Sequence, residues 1–222
     1  MNYLAWALFV EGQTDKRYFE TLLPRVVLNL VQQANGPEAM VPDYPVDVFG
    51  VAIRELDAAA EKICAASEAF SLLFVHGDTG SPAQEKNLPN RTCALCKKVQ
   101  INCNFRRERC VIVAPRRETE TWCLADKDAI RSAFGTGVDF DLSFIPDNAS
   151  AVEAIGDPKA EMCQIQSSLS TGKRRRSPPI PYASLGQSQD LNRLRLLPSF
   201  QTFEAGLIEA LKTLGYSGIR QP

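Results

Sequence analysis

The sequence predicts an α/β fold, a mostly parallel central sheet flanked by helices with a C-terminal helical accessory segment. Two patterns predict it. Apolar runs of strand length alternate with stretches of helical periodicity in βαβα order, the arrangement that places helices on the faces of a parallel sheet. Three of the runs also stop at a carboxylate set among Gly, Thr or Glu. Leu4 to Val10 meets Glu11-Gly12-Gln13-Thr14-Asp15, Leu72 to Val75 meets His76-Gly77-Asp78-Thr79-Gly80, and Cys110 to Ala114 meets Pro115-Arg116-Arg117-Glu118-Thr119-Glu120.

The first run is followed by Thr14, a candidate N-cap, and by Tyr18, Phe19, Leu22, Leu23, Val26, Val27 and Leu30 at helical spacing, so residues 15–33 read as a helix with Pro24 inside it. Asn35-Gly36-Pro37 breaks the pattern, and Pro45 to Gly50 reads as a short second strand. Residues 54–68, with Leu56, Ala59, Ala60, Ile63 and Cys64, form the next helix, and the third strand spans 70–76. Ser81-Pro82 opens a helical or loop-rich stretch to about residue 107. The fourth strand, 109–114, leads into one helix carrying Trp122, Leu124, Ala125 and Ile130.

Beyond residue 134 the chain turns rich in Gly and Pro, with two short helices at 150–156 and 158–169. Asp190 to Leu214 is helical again, with Phe200, Phe203, Leu207 and Leu211 at core spacing. Residues 1–135 are therefore the catalytic layer, and 136–222 an accessory helical segment completing the same compact unit. Chain length supports this, since 222 residues suffice for one good core at about 100–200 residues per domain.

Composition excludes several classes. Hydrophobic content of 45% and charged content of 23% are globular values, and a net charge of −1 leaves polyanion binding to local patches. The N-terminal apolar run lacks the flanks of a signal peptide, and no stretch reaches the length of a membrane span. The expectation is a cytoplasmic protein, with no membrane partner, whose seven cysteines are reduced thiols. Cys93, Cys96, Cys103 and Cys110 have poor zinc spacing, three of them fall on one helix face, and structural zinc is not expected.

Open α/β sheets bind ligands at the carboxyl ends of their strands. Carboxylates gathered there suit hard divalent cations, which take oxygen ligands and assist phosphodiester chemistry. Glu11, Asp15, Asp78, Glu118 and Glu120 are accordingly the candidate catalytic residues. Glu11, Asp78, Glu118, Glu120 and Asp126 are the candidate ligands for Mg²⁺ or Mn²⁺, and His76, the only histidine, is a candidate support for a phosphate or water. Arg117, Lys159 and the run Lys173, Arg174, Arg175 and Arg176 are candidate phosphate contacts. Trp122 reads as core packing. Asp78-Thr79-Gly80-Ser81 also spells an aspartic-protease signature, but that chemistry needs two such loops. Gly172-Lys173 is no P-loop, because residue 167 is Ser and no strand leads in.

Leu8-Phe9-Val10-Glu11-Gly12-x-Thr14-Asp15-x-x-Tyr18-Phe19 resembles the opening of TOPRIM domains, the fold of topoisomerases, primases and OLD-family nucleases. His76-x-Asp78-x-Gly80, Pro115-x-Arg117-Glu118-x-Glu120-x-Trp122-x-Leu124-Ala125-Asp126, Asp157-Pro158-Lys159 and Pro198-Ser199-Phe200-x-x-Phe203 resemble the TOPRIM-like family DUF4276. The resemblance implies a TOPRIM fold in which the Glu after the first strand acts in catalysis and Asp after the third binds Mg²⁺. Gly80 departs from it, standing where TOPRIM proteins usually carry a second Asp. The resemblance further implies an endonuclease acting on DNA or tRNA, partnered by a separate AAA or ABC-type ATPase in bacterial antiphage defence. The competing reading is a non-catalytic subunit that binds a partner protein or nucleic acid. Homo-oligomerisation stays open.

Overall fold

The computed structural model describes residues 2–50, 55–80, 88–135, 141–168 and 179–219. Four strands form the central sheet: β2 (Trp6–Val10), β4 (Asp47–Gly50), β5 (Leu72–His76) and β6 (Cys110–Val113). Their spatial order is β4-β2-β5-β6, and every neighbouring pair is parallel. The pairing sets Phe9 opposite Phe49 and Val75, and His76 opposite Val113. The α/β class and the parallel sheet read from the sequence are thus present. A second, two-stranded parallel sheet pairs β1 (Asn2–Tyr3) with β3 (Ala39–Met40). Its strands of two exposed or half-buried residues carry no alternation from which to read them.

Alternate residues of the strands sort onto two faces, as the period of two requires. Trp6, Leu8, Val10, Leu72, Phe74, Val111 and Val113 enter one core with the long helix Gln13–Gln33 and the C-terminal helices. Ala7, Phe9, Phe49, Leu73, Val75 and Cys110 enter the other, with Ala59, Ala60 and Ile63 of the helix Leu56–Ala65 and Leu95, Cys96 and Val99 of the helix Leu88–Cys103. The product is a three-layer α/β/α sandwich. Cys64 and Cys103 are joined as a disulfide with Cα atoms 5.4 Å apart, tying the two helices of the second layer together. This corrects the expectation of reduced thiols throughout, because two cysteines 39 residues apart in sequence meet only through helix packing. The remaining five are free.

Sequence and structure diverge at three further points. The long helix begins at Gln13, two residues before the expected start at Asp15 behind a Thr14 cap, so Asp15 is its third residue and Gly12 precedes it. The single helix expected after β6 is two helices, Thr119–Cys123 and Lys127–Phe134. It breaks because the Gln189 side-chain amide donates to the carbonyls of Trp122 and Cys123 at 2.7 and 3.2 Å. Asp126 then restarts the chain by accepting from the Asp128 and Ala129 amides. Finally, the helix Tyr182–Ser188 lies within the Gly- and Pro-rich stretch, where its Ser and Gly content is poor for helices.

Tertiary contact overrides that propensity. A Cβ on Gly186 would stand 2.3 Å from Thr21 Oγ1 and 2.4 Å from the Tyr18 carbonyl oxygen, so the two helix backbones meet where only glycine fits. Gly186→Ala is therefore expected to lower stability by roughly 1–3 kcal/mol, the usual cost of overpacking, measured as a shifted urea midpoint. An unchanged midpoint would show that the helix backs away without cost. One core includes residues from Leu4 to Ile219, so the chain before and after residue 135 shares it.

Candidate metal centre

The strand order creates a crevice. Chain leaves β2 into the helix Gln13–Gln33 on one face of the sheet, and leaves β5 towards the helix Leu88–Cys103 on the other. Between the carboxyl ends of β2 and β5 the connections diverge, which is where open α/β sheets hold ligands. Asp15 comes from the first turn of the long helix, and His76 and Asp78 come from the end of β5. One potential ligand atom from each of these residues lies within 4.8 Å of the other two.

The local fold fixes each group. Gly12 leaves room for Asp15, whose Oδ2 would stand 2.8 Å from a Cβ on that glycine. Thr119 Oγ1 donates to Asp15 Oδ1 at 2.7 Å, and Asp15 is buried. His76 falls on the same face of β5 as Phe74 by strand alternation, and is fully buried with its ring 4.7 Å from that of Phe19. Its Nδ1 lies 3.0 Å from the Val113 carbonyl oxygen. A carbonyl only accepts, so Nδ1 carries the hydrogen. Nε2 then faces Asp78 Oδ1 at 3.4 Å and Asp15 Oδ1 at 3.7 Å. It makes no hydrogen bond among the described residues. Burial alone pulls the His76 pKa down, but contact with Asp78, the charges of Asp78 and Asp15 and the Val113 carbonyl outweigh it, leaving the ring above its ordinary 6.5.

Two left-handed residues hold the adjoining loops. Gly80 (φ 62°) donates its amide to the Arg117 carbonyl at 2.8 Å, and Arg117 (φ 67°) donates its amide to Thr79 Oγ1 at 2.5 Å. For Arg117 this conformation costs roughly 1–2 kcal/mol, strain of the kind that gathers at functional sites. The clamp also suits Gly80, since glycine adopts a left-handed backbone without steric cost. Glu118 stands at the N-cap position of the next helix without a side-chain capping bond and is half-buried; its Oε2 finds no hydrogen-bond partner among the described residues. Burial pushes its carboxyl above the ordinary range, Glu120 and Asp78 add to that, and Lys159 opposes it. Glu120 is buried and accepts from Tyr182 Oη at 2.5 Å. Burial and Glu120 together push the Tyr182 phenol up.

The other residues singled out in the sequence are placed differently. Glu11 is exposed directly after β2 and is not one of the three converging residues. Asp126 is committed to capping, accepting from three amides including that of Asp190 at 2.9 Å. Arg117 lies in the clamp with a buried Nε that has no partner among the described residues, and Lys159 is exposed. The basic run 173–176 lies outside the described residues. Trp122 is fully buried, donating Nε1 to Ser199 Oγ at 2.8 Å. Cys96 and Cys110 face each other across the second core: hydrogen bonding to Cys110 and the nearby Arg107 lower the Cys96 pKa against burial.

Thr119 and Tyr182 are site residues that sequence reasoning missed, and nothing in their own spacing marks them. For His76 a signal existed, because it lies two residues beyond Phe74 and two before Asp78 at a strand end. Comparison with protein-family models, curated proteins and solved structures finds no match to this chain. No helix among the described residues is long and apolar enough to cross a membrane.

Proposed function

We propose that this chain is a divalent-cation-dependent, TOPRIM-type phosphodiester hydrolase acting on nucleic acid. The observation that carries the reading is the convergence of Asp15, His76 and Asp78 at the β2/β5 crevice around a buried imidazole nitrogen that has no hydrogen-bond partner among the described residues. Two carboxylates and an imidazole are a suitable donor set for a divalent cation. A cation held there would neutralise charge developing on a phosphate and acidify water.

The chain's own residues supply the rest. Glu118 keeps a carboxyl with a raised pKa beside Asp78, the direction of shift that suits a general acid or base. Glu120, fixed by Tyr182, maintains the negative field that sustains it. Arg117 and Lys159 stand at the same edge as counter-charges for a phosphate backbone. By the TOPRIM resemblance, the chain serves as the effector of an antiphage system beside a separate ATPase.

The test is to incubate purified protein with DNA and with tRNA, in Mn²⁺ or Mg²⁺, with and without EDTA. Cleavage of at least one polymer that stops on chelation is expected. Intact substrates under every condition would reject catalysis and leave a binding subunit.

A further inference from the structure

We infer that Asp15, His76 and Asp78 form a site that takes a nitrogen-accepting first-row divalent cation, Mn²⁺ or a later ion, in preference to Mg²⁺. The imidazole is the starting point. Because Nδ1 gives its hydrogen to the Val113 carbonyl at 3.0 Å, the neutral ring presents the Nε2 lone pair, and two carboxylate oxygens lie 3.4 and 3.7 Å from that nitrogen. Among the described residues Nε2 has no hydrogen-bond partner, and something positive beside it would satisfy it. A proton on Nε2 is one solution, but charge-assisted hydrogen bonds run about 2.7–2.9 Å, and the observed separations are 3.4 and 3.7 Å.

Coordination is the other solution. Ligand bonds of about 2.0–2.2 Å at octahedral to tetrahedral angles place donor atoms roughly 3.0–3.5 Å apart; Asp78 Oδ1 stands 3.4 Å from Nε2, inside that span, and Asp15 Oδ1 stands 3.7 Å from it, just outside. The surroundings are also those of a metal-binding histidine, whose second ring nitrogen commonly donates to a backbone carbonyl that sets the tautomer. Thr119 orients Asp15 in the same way, and Phe19 packs against the ring. Mg²⁺ prefers an all-oxygen octahedron and sheds water reluctantly. A buried imidazole at the centre of the donor set shifts the preference to ions that accept nitrogen.

The inference uses the residues of the proposed function but not hydrolysis itself, and the test is titration of purified protein with Mn²⁺ alone, followed by electron paramagnetic resonance. One Mn²⁺ per chain is expected, held at least about 10-fold more tightly than Mg²⁺ in competition, with nitrogen modulation in the pulsed spectrum. His76→Asn should remove that modulation and the preference. Asp78→Asn, at a half-exposed position, should weaken Mn²⁺ at least about 10-fold and provides the test should the buried variant fail to fold. Bound Mn²⁺ without nitrogen modulation, equal displacement by Mg²⁺, or undiminished affinity in Asp78→Asn would overturn the inference. A chain that binds Mn²⁺ through nitrogen yet cleaves nothing keeps this inference and loses the hydrolase reading.

Discussion

Asp78→Asn is expected to reduce cleavage by about 10³-fold or more while leaving the fold intact. The substitution keeps the side-chain shape, and Asp78 is half-buried on a loop held by backbone contacts between Thr79, Gly80 and Arg117, so little packing is lost. What disappears is one of the two negative charges facing His76. A cation that stabilises the transition state by several kcal/mol then loses a principal ligand, and about 4 kcal/mol corresponds to roughly 10³ in rate.

The same variant gives a stability signature in EDTA. Asp78 is a main reason that the His76 pKa is raised. A raised folded-state pKa contributes stability that is full below the unfolded value, near 6.5, and is lost as pH climbs through the folded value. Urea denaturation should therefore show the deficit of Asp78→Asn in acid and its disappearance in alkali. Retained activity together with a deficit that does not vary with pH would contradict both the metal site and the charge pairing.

The reach of the sequence follows from which interactions are local. Strands such as Trp6–Val10 and Leu72–His76 are buried on both faces and so read as unbroken apolar runs, and the helix Gln13–Gln33 shows its buried stripe directly. The edge position of Asp78 follows from the strand before it. Asp15 and His76 do not stand out as metal ligands in the sequence because their meeting depends on strand order: only when β2 lies beside β5 does the start of one helix reach the end of the other strand. Glu11, equally acidic and nearer its strand, faces solvent. Asp126 looked like a ligand because nothing local marks the arrival of the Asp190 amide, 64 residues on. The Cys64–Cys103 bridge and the Gly186 contact are hidden for the same reason.

Trp122→Ala should be the most damaging core change, costing about 3–5 kcal/mol. The indole is fully buried, with ring centroids 5.9 Å from Phe19, 4.9 Å from Phe200 and 5.6 Å from Phe203, and its Nε1 donates to Ser199. It therefore joins the helix that carries Asp15 to the helix Pro198–Thr213. Truncation opens a cavity that these rings cannot close without moving a sheet layer, and it strips Ser199 of its donor. Trp122→Phe keeps most of the contact area and should cost less, separating packing from the lost hydrogen bond. Urea denaturation followed by far-ultraviolet circular dichroism, which needs neither tryptophan, should give one transition at a lower midpoint for the Ala variant. Two resolved transitions, the first confined to the C-terminal helices, would instead show that residues 136–222 unfold apart from the sheet, and that the shared core does not bind them into one cooperative unit.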